Sequence, residues 1–211
     1  MSPRPHPATP APTKGERTRA AILDAGFRIV SKDGLEGLTI GTLAEATGLS
    51  KSGLFAHFGS REELLIAVLE RGQREFVDLV IQPALAKPRG LPRLRALFTH
   101  WLDWTESANL PGGCPMIGGA TEFDDKPGLV RDTLAAGQRG WIDTLNRAAR
   151  QAIEQGQLAP GTDPEQISFE LFGIALVAHH HRRLLGYDRA RQRAMDAMDA
   201  LLARHAPVLR R

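Results

Sequence analysis

The chain has 211 residues, 42% of them hydrophobic, and carries a formal net charge of +3 with a pI near 9.4. This length and apolar content allow a sizeable core and favour a small domain attached to a larger one. One cysteine, Cys114, excludes an intrachain disulfide, and no apolar run approaches the roughly 20 residues of a membrane span. With no secretion leader in view, we expect a cytoplasmic protein without a membrane anchor.

The N-terminal segment, residues 1–12, contains five prolines, which predicts a disordered tail. Order is expected to begin at Thr13, because Thr13 and Glu16 have the spacing of a capping box. Apolar residues then recur at three- and four-residue steps and predict a first helix with one buried face, ended by glycines at 34 and 37. That face comprises Ile22, Ala25, Ile29 and Val30.

Residues 39–58 predict two short helices joined by a glycine turn. Ala44 supplies a small residue at the crossing, and Gly48 permits the positive φ that the reversal requires. Ser50 is placed to cap the second helix, and Leu54 to close the wedge between the two. This combination is typical of a helix-turn-helix that reads DNA.

Basic residues cluster around this unit, where they are available to DNA phosphates. They are Lys14, Arg17, Arg19, Arg28, Lys32, Lys51 and Arg61. Glu16, Asp24, Asp33, Glu36 and Glu45 offset much of that charge. The sequence therefore predicts a focused positive field rather than a large one.

A fourth helix is predicted to start at Ser60, again with capping-box spacing to Glu63, and to run as a connector over residues 60–82. Prolines at 83, 88 and 92, together with Gly90, interrupt the pattern and mark the seam between two units. We thus expect a disordered tail at 1–12, a DNA-binding domain at 13–59 and a larger helical domain at 83–211.

The larger unit is predicted to be helical throughout. One long helix is predicted to start at Pro127. Another is predicted to start with Asp163 as its cap and Pro164 in the first helical position, with a hydrogen bond from the Gln166 side chain back to the helix start. The latter helix is apolar on two faces, one of which includes Phe169, so it is expected to be buried on both sides. A last amphipathic helix carries Met195, Met198 and Leu202. These two adjacent C-terminal helices favour a homodimer interface, although an intramolecular core fits the pattern equally well.

Bulky residues of the larger unit are candidates either to line an apolar cavity or to fill an ordinary core. The candidates are Phe98, Trp101, Trp104, Met116, Phe123, Trp141, Phe169, Phe172 and His179, with His100 and Glu122 as further polar groups. Either interpretation accounts for bulky side chains at helical spacing.

Metal and cysteine chemistry have little support in the sequence. Consecutive histidines 179–181 point about 100° apart on a helix and do not form one ligand set, so no metal or other cofactor is expected. Cys114 is a candidate redox sensor or intersubunit disulfide, but nothing nearby in sequence would lower its pKa. An enzyme would need Cys114 as nucleophile and His179 or His180 as base.

Taken together, the segments Ala-Ile-Leu-Asp-Ala-Gly, Thr-Ile-Gly-Thr-Leu-Ala-Glu-Ala-Thr-Gly-Leu-Ser and Gly-Leu-Phe-Ala-His-Phe-Gly-Ser-Arg-Glu-Glu-Leu resemble the TetR family of transcriptional regulators. The resemblance covers residues 16–69, and a Gly-Gly-Cys-Pro loop and a Glu-Phe-Asp-Asp-Lys-Pro-Gly stretch are similar to one subgroup. It implies an all-α fold in which a three-helix DNA-binding domain precedes a larger ligand-binding and dimerisation domain.

The resemblance also implies which residues contact DNA. The recognition helix falls on residues 50–57, with Ser50, Lys51, Ser52 and Gly53 at its leading end. Thr39, His57 and Arg61 would contact phosphates. Phe55 stands where many relatives carry tyrosine, so a phenolic contact to phosphate is missing and Phe55 is a candidate core residue as well as a DNA contact.

The function expected on this basis is a ligand-responsive repressor that binds a near-palindromic operator as a homodimer and is released by a small hydrophobic or aromatic effector. The effector would occupy the apolar cavity. A cysteine-dependent enzyme and an effector-free DNA-binding protein are the alternatives.

Overall fold

The computed structural model describes residues 13–207, and the regular structure of this part is entirely helical. The helices are α1 (Lys14–Gly37), α2 (Ile40–Thr47), α3 (Lys51–Phe58), α4 (Arg61–Phe76), α5 (Gln82–Leu85), α6 (Leu91–Thr105), α7 (Pro115–Phe123), α8 (Leu129–Glu154), α9 (Pro164–Arg183) and α10 (Ala190–Arg204). The all-α prediction is confirmed, whereas the predicted disorder of residues 1–12 lies outside the described residues.

The first four helices all begin on side-chain caps. The amide of Thr13 donates to Glu16 Oε2 at 2.7 Å while the Glu16 amide donates to Thr13 Oγ1, so the predicted capping box forms. Thr39, Ser50 and Ser60 each accept a hydrogen bond from the amide three residues later. Orphan amides at the helix starts are thereby satisfied by residues close in sequence.

Two predicted helix starts in the larger unit differ in detail. The long helix α8 begins at Leu129 after Gly128, so Pro127 precedes the helix rather than opening it. Asp163 caps α9 as expected, but the Gln166 side chain donates to Glu170 instead of returning to the start of the helix. The return bond would have used the Gln166 side-chain oxygen as acceptor for the Asp163 amide, whereas the bond that forms uses the NH₂ group as donor to a carboxylate one turn ahead.

Pro83, the first of the residues predicted to mark the seam, does not interrupt the helix. Helix α4 continues through a π-helical turn, Val77–Ile81, directly into α5, and Pro83 sits in the first turn of α5. Proline lacks an amide hydrogen, and its ring crowds the turn that precedes it. The wider π-helical turn before Pro83 accommodates the missing hydrogen bond and the ring. The connector is therefore longer than predicted and ends at Leu85.

Helix α4 packs closely along α1 because glycines lie at their crossing. A Cβ added at Gly72 would lie 2.2 Å from Cε2 of Phe27, and one at Gly26 would lie 2.8 Å from Cγ2 of Val68. Such spacing leaves no room for even a methyl group at either glycine. The core runs from this crossing, through Phe98 of α6, to Leu145 of α8.

The outer face of α9 is not buried within the chain. Phe169 is 74% exposed and Val177 is 54% exposed, so the expectation that this helix is covered on both sides is wrong for a single chain. The helices that pack most extensively against α9 are α8 and α10. Among the described residues, no helix is both long and apolar enough to cross a membrane.

Candidate DNA-reading surface and effector cavity

The α2–turn–α3 unit has the geometry expected of a helix-turn-helix. Gly48 adopts φ 68° and ψ 13°, the left-handed region, and its amide donates to the Ala44 carbonyl oxygen at 2.9 Å. Leu43 and Leu54 are fully buried beneath the turn. Because glycine adopts this backbone conformation without strain, the chain reverses here and the start of α3 faces outward.

The leading end of α3 presents small and basic side chains to solvent. Lys51 and Ser52 are exposed, and the Gly53 amide donates to Ser50 Oγ at 3.1 Å. Phe55 is 49% exposed on the same helix, so its interpretation as a core residue is wrong. Leu54 and Phe58 already occupy the inward positions of this two-turn helix, and they leave Phe55 on the outer face.

Two further predicted DNA contacts have different environments. Thr39 is exposed at the start of α2, where its hydroxyl caps the helix. The Arg61 guanidinium instead donates to the carbonyl oxygens of Leu35 and Leu38 at 3.1 and 3.0 Å. Arg61 therefore satisfies the end of α1, which the prediction of a phosphate contact did not anticipate.

An apolar cavity of about 280 Å³ lies between α4, α6, α7, α8 and α9. Four of the predicted effector-binding residues line it together: Trp101, Met116, Trp141 and Phe172. Trp141 makes edge-on contacts to Trp101, with ring centroids 5.3 Å apart, and to Phe76, at 5.0 Å. The cavity is thus walled on one side by mutually packed aromatic rings.

The other predicted cavity residues lie elsewhere, with Phe169 on the exposed face of α9. Phe98 is buried in the core, and Trp104 packs against Phe27 and Phe76 behind the cavity wall. Phe123 lies beneath the Lys126 ammonium, and His179 lies against the Gly113 backbone. Sequence spacing identified them as inward-facing, but it does not distinguish a side chain that fills a core from one beside a void.

Ten of the fourteen residues that line the cavity were not predicted to do so. The C-terminal end of α4 and the π-helical turn contribute Gln73, Phe76, Val77 and Ile81, and α8 contributes Ala136, Gly137, Gln138 and Gly140; Cys114 and Ile117 complete the wall. A signal for the α8 side was available. Glycines in a helix interior are unfavourable. Here Gly140 borders open space, and Gly137 makes room for the Gln73 side chain, whose Nε2 would lie 2.5 Å from an added Cβ.

The polar residues predicted for the cavity serve other purposes. His100 contacts the Val80 carbonyl oxygen at 3.3 Å. Glu122 accepts hydrogen bonds from the amides of Leu35 and Glu36, at 3.1 and 2.9 Å, where Gly34 breaks the helical backbone with φ 77°. These amides lose their helical partners at the break, and the carboxylate replaces them.

Further contacts join α7 and the turn before it to the end of α1. The Ser31 hydroxyl donates to the Gly113 carbonyl oxygen at 2.9 Å and accepts from the Gly112 amide at 3.0 Å. Lys126 pairs with Glu36 at 2.7 Å and, with Arg61 also nearby, this holds the pKa of the Glu36 carboxyl below its ordinary value. The C-terminal end of α7 therefore contacts the DNA-reading unit, and the N-terminal end of α7 lines the cavity.

Cys114 is buried at the start of α7, beside the cavity. Burial raises the pKa of its thiol, against smaller opposing effects from the first amides of α7 and the Trp104 side chain. A side chain so buried is not accessible to a second chain, so an intersubunit disulfide through Cys114 is excluded in this conformation. Within residues 13–207, no group of three or more His, Cys, Asp or Glu side chains could hold a metal ion.

The fold and the exposed leading end of α3 define a helix-turn-helix DNA-binding protein with a separate cavity-bearing helical unit. Residues 22–68 match the model of bacterial regulatory proteins of the tetR family, and residues 90–198 match the model of the tetracyclin repressor-like C-terminal domain. The second match alone spans more than half of the chain. The chain therefore belongs to the TetR family and is a DNA-binding transcriptional regulator.

Known relatives agree with this assignment over most of the chain. The HTH-type transcriptional regulator RutR of Escherichia coli is 29% identical over 167 residues, which cover 76% of each protein. A TetR transcriptional regulator from Chloroflexus aurantiacus has a similar fold, with a TM-score of 0.84 at 22% identity over 92% of this chain and 98% of that one. AibR, solved with isovaleryl coenzyme A and operator DNA, has a TM-score of 0.68 at 24% identity over 90% and 98%.

Proposed function

We propose that the protein is a ligand-responsive repressor that binds a near-palindromic operator as a homodimer. The observation that carries this proposal is the outward-facing start of α3, where Lys51 and Ser52 are exposed and the capped backbone is close to the surface. A helix that presents its N-terminus in this way suits the major groove and its flanking phosphates.

Within this proposal the DNA-contacting set is Thr39, Ser50, Lys51, Ser52, Gly53, Phe55 and His57. Gly53 has no side chain, so the helix backbone can approach the base edges closely. Phe55 supplies an apolar surface of the kind that contacts thymine methyl groups. Arg61 is expected to orient α4 relative to α1 rather than to bind phosphate, since its guanidinium is already bonded to backbone carbonyl groups.

The dimer surface is proposed to lie on α9 and α10. Exposed Phe169 and Val177 border a shallow groove formed by these two helices, with Ala194 at its base. Apolar side chains exposed in this density on one helix favour burial against an identical surface. Two reading heads joined this way would have to be spaced by roughly 34–36 Å to enter successive major grooves.

We propose that the effector binds in the cavity and that its binding affects the DNA-reading unit by two routes. One route is α4, whose C-terminal end lines the cavity while its N-terminal end is tied by Arg61 to the reading unit. The other is α7, which lines the cavity through Met116 and holds the broken end of α1 through Glu122. An effector that favours a different spacing of the heads would weaken operator binding, typically by about 1–3 kcal/mol.

An enzymatic role is not part of this proposal. The Cys114 thiol has a raised pKa, which disfavours the nucleophilic thiolate. Among the described residues, no hydrogen bond joins Cys114 to a histidine base, and the nearby His179 has a pKa lowered mainly by its own burial. A Cys114→Ser variant is accordingly expected to retain operator binding.

The proposal is tested by the salt dependence of DNA binding. A duplex selected from a random library would be titrated with the wild-type protein and with Lys51→Ala, by fluorescence anisotropy between about 50 and about 200 mM salt. We expect weaker binding by the variant and a salt slope smaller by about one unit per copy of the chain. Lys87→Ala, a change at an exposed lysine after α5, is the matched control and should bind as the wild type does.

Two results would contradict the proposal. One is a wild-type affinity that does not change with salt, because phosphate contacts necessarily release counterions. The other is an equal loss of affinity in the Lys51 and Lys87 variants, which would mean that net charge rather than the α3 surface governs binding.

A further inference from the structure

The wall of the apolar cavity has a buried part and a less buried, polar part. Trp101, Cys114 and Trp141 line the cavity and are buried. Gln73 and Gln138 also line it, and both of these side chains are only partly buried. The cavity itself is open on one side. The two glutamine amides are therefore available to a molecule in the cavity, and water can form hydrogen bonds with them when no such molecule is bound.

Backbone carbonyl groups fix the orientation of both amides. Gln73, on α4, donates from its side-chain NH₂ group to the Thr133 carbonyl oxygen of α8 at 3.2 Å. Gln138, on α8, donates in the same way to the Met116 carbonyl oxygen of α7 at 3.0 Å. Because a carbonyl oxygen can only accept, these contacts determine which end of each amide carries the nitrogen. Each amide is thus held in one orientation before a ligand binds.

Gly137 makes room for the Gln73 amide in the cavity wall. A Cβ atom added at Gly137 would lie 2.5 Å from Nε2 of Gln73, so a larger residue there would displace the amide. Gly137 lines the cavity too. The Gln73 amide therefore lies directly against α8, at a position that a side chain of α8 would otherwise occupy.

Both amides retain hydrogen-bonding capacity that the protein does not use. A primary amide has two N–H donors and an oxygen that can accept two hydrogen bonds. Gln73 and Gln138 each use one N–H, and within residues 13–207 neither the second N–H nor the oxygen of either amide has a partner. None of the described side chains that line the cavity belongs to Asp, Glu, Lys, Arg or His. The polar part of the wall thus offers neutral donors and acceptors together, and no counter-ion.

We propose that the cavity selects a ligand with a neutral carboxamide-type group, which has an N–H donor next to a C=O acceptor, and that Gln73 and Gln138 are the specificity-determining residues that recognise this group. This inference rests on the proposed effector role of the cavity. A ligand amide can donate to a glutamine oxygen and accept from a glutamine N–H. A ketone leaves the glutamine oxygen unpaired, and a carboxylate also introduces an uncompensated charge.

Three probes of nearly identical shape test the proposal: 2-naphthamide, 2-acetonaphthone and 2-naphthoate. They differ only in the group attached to the carbonyl carbon, which is NH₂, CH₃ or O⁻. Binding to the full-length protein would be measured by equilibrium dialysis. Although the ketone is more apolar than the amide, we expect 2-naphthamide to bind roughly 3- to 10-fold more tightly than 2-acetonaphthone, the range of one neutral hydrogen bond. We expect 2-naphthoate to bind most weakly of the three.

Glutamine variants assign the preference to its residues. Methionine has nearly the length of glutamine but no amide, so the double variant Gln73→Met, Gln138→Met should lower the ratio of the amide and ketone affinities to one or below. Gln151→Met is the matched control, because Gln151 is also a partly buried glutamine, on α8, but does not line the cavity. This control should keep the wild-type preference for the amide.

The wild-type comparison stands by itself if a variant fails to fold. Equal or tighter binding of the ketone, tighter binding of the carboxylate, or no binding of any probe would each overturn the proposal. So would an amide preference that survives in the double variant. Operator affinity of the ligand-free protein, measured in parallel, separates this failure from failure of the proposed regulatory function, which would appear as loss of DNA binding.

Discussion

The reading head and the cavity-bearing unit satisfy their polar groups in different ways. Helices α1 to α4 all start on a side-chain cap, whereas α5 to α8 have no side-chain cap hydrogen bond. The larger unit also contains the buried indole nitrogen of Trp141, which has no hydrogen-bond partner among the described residues. Local hydrogen bonds therefore fix the helix starts of the head, whereas the starts of α6 to α8 lack them.

This contrast is suited to a switch. A reader of DNA must present its contacting atoms in one arrangement, and the tight α1–α4 crossing at Gly26 and Gly72 provides that rigidity. A sensor needs a second conformation of similar free energy. Helices whose polar groups lack hydrogen-bond partners favour the existence of such a conformation. Helices α4 and α7 belong to both environments and therefore join them.

The largest effect is expected at the outer face of the larger unit. Phe169→Glu places a charge at the centre of the proposed dimer surface, and interface anchors of this kind contribute roughly 2 kcal/mol or more per side chain. We expect a monomer by sedimentation and loss of binding to a two-half-site operator. Leu129→Glu, at an exposed leucine on α8, is the control and should remain dimeric; a dimeric Phe169→Glu protein would place the interface elsewhere.

The inner and outer faces of α3 provide the next test. Leu54→Ala removes a fully buried side chain and should lower the free energy of unfolding by about 2–5 kcal/mol. Its neighbour Phe55 is half exposed, so Phe55→Ala should change stability by no more than about 0.5 kcal/mol while weakening operator binding. Denaturant titrations and anisotropy measure the two quantities. If both variants lost stability equally, Phe55 would belong to the core after all.

The α1–α4 crossing tests the rigidity of the head. Gly72→Ala would place a methyl group against the buried Phe27 ring and should cost roughly 1–3 kcal/mol of unfolding free energy. Gly118→Ala, in α7, meets no atom within 4 Å and should be neutral or slightly stabilising, since alanine favours helix more than glycine does. Thermal unfolding of the two variants gives the comparison. Equal melting temperatures would argue against a tight crossing.

The smallest effect is expected where the two regions meet. Glu122→Gln retains one acceptor for the amides of Leu35 and Glu36 but loses the other, at a cost of about 1 kcal/mol. Hydrogen exchange at these two amides should accelerate. Asp125→Asn, on the exposed turn after α7, should leave the exchange unchanged. Unaltered exchange in Glu122→Gln would mean that other contacts hold the broken end of α1.

Much of the head could be predicted because its determinants are local. The predicted caps at Thr13, Ser50 and Ser60 each act within three residues, and Gly48 acts through its own φ angle. The intramolecular hydrogen bonds of Arg61 could not be predicted, for the opposite reason. Its carbonyl partners lie more than twenty positions earlier, and nothing in the local pattern indicates them.

The cavity shows the limit of sequence pattern. Apolar periodicity correctly placed Trp101 and Trp141 on inward faces, but Phe98 and Trp104 have the same periodicity and fill the core. Only the way helices α4, α6, α7, α8 and α9 come together decides which inward residues border a void.

The sequence by itself determined the helical class, the reading head and the family, because capping, turn chemistry and hydrophobic spacing act over a few residues. Tertiary structure alone decided the cavity wall, the intramolecular role of Arg61, the hold of Glu122 on α1 and the unpaired indole of Trp141. These depend on contacts between residues far apart in the chain, whose geometry is set by how whole helices pack.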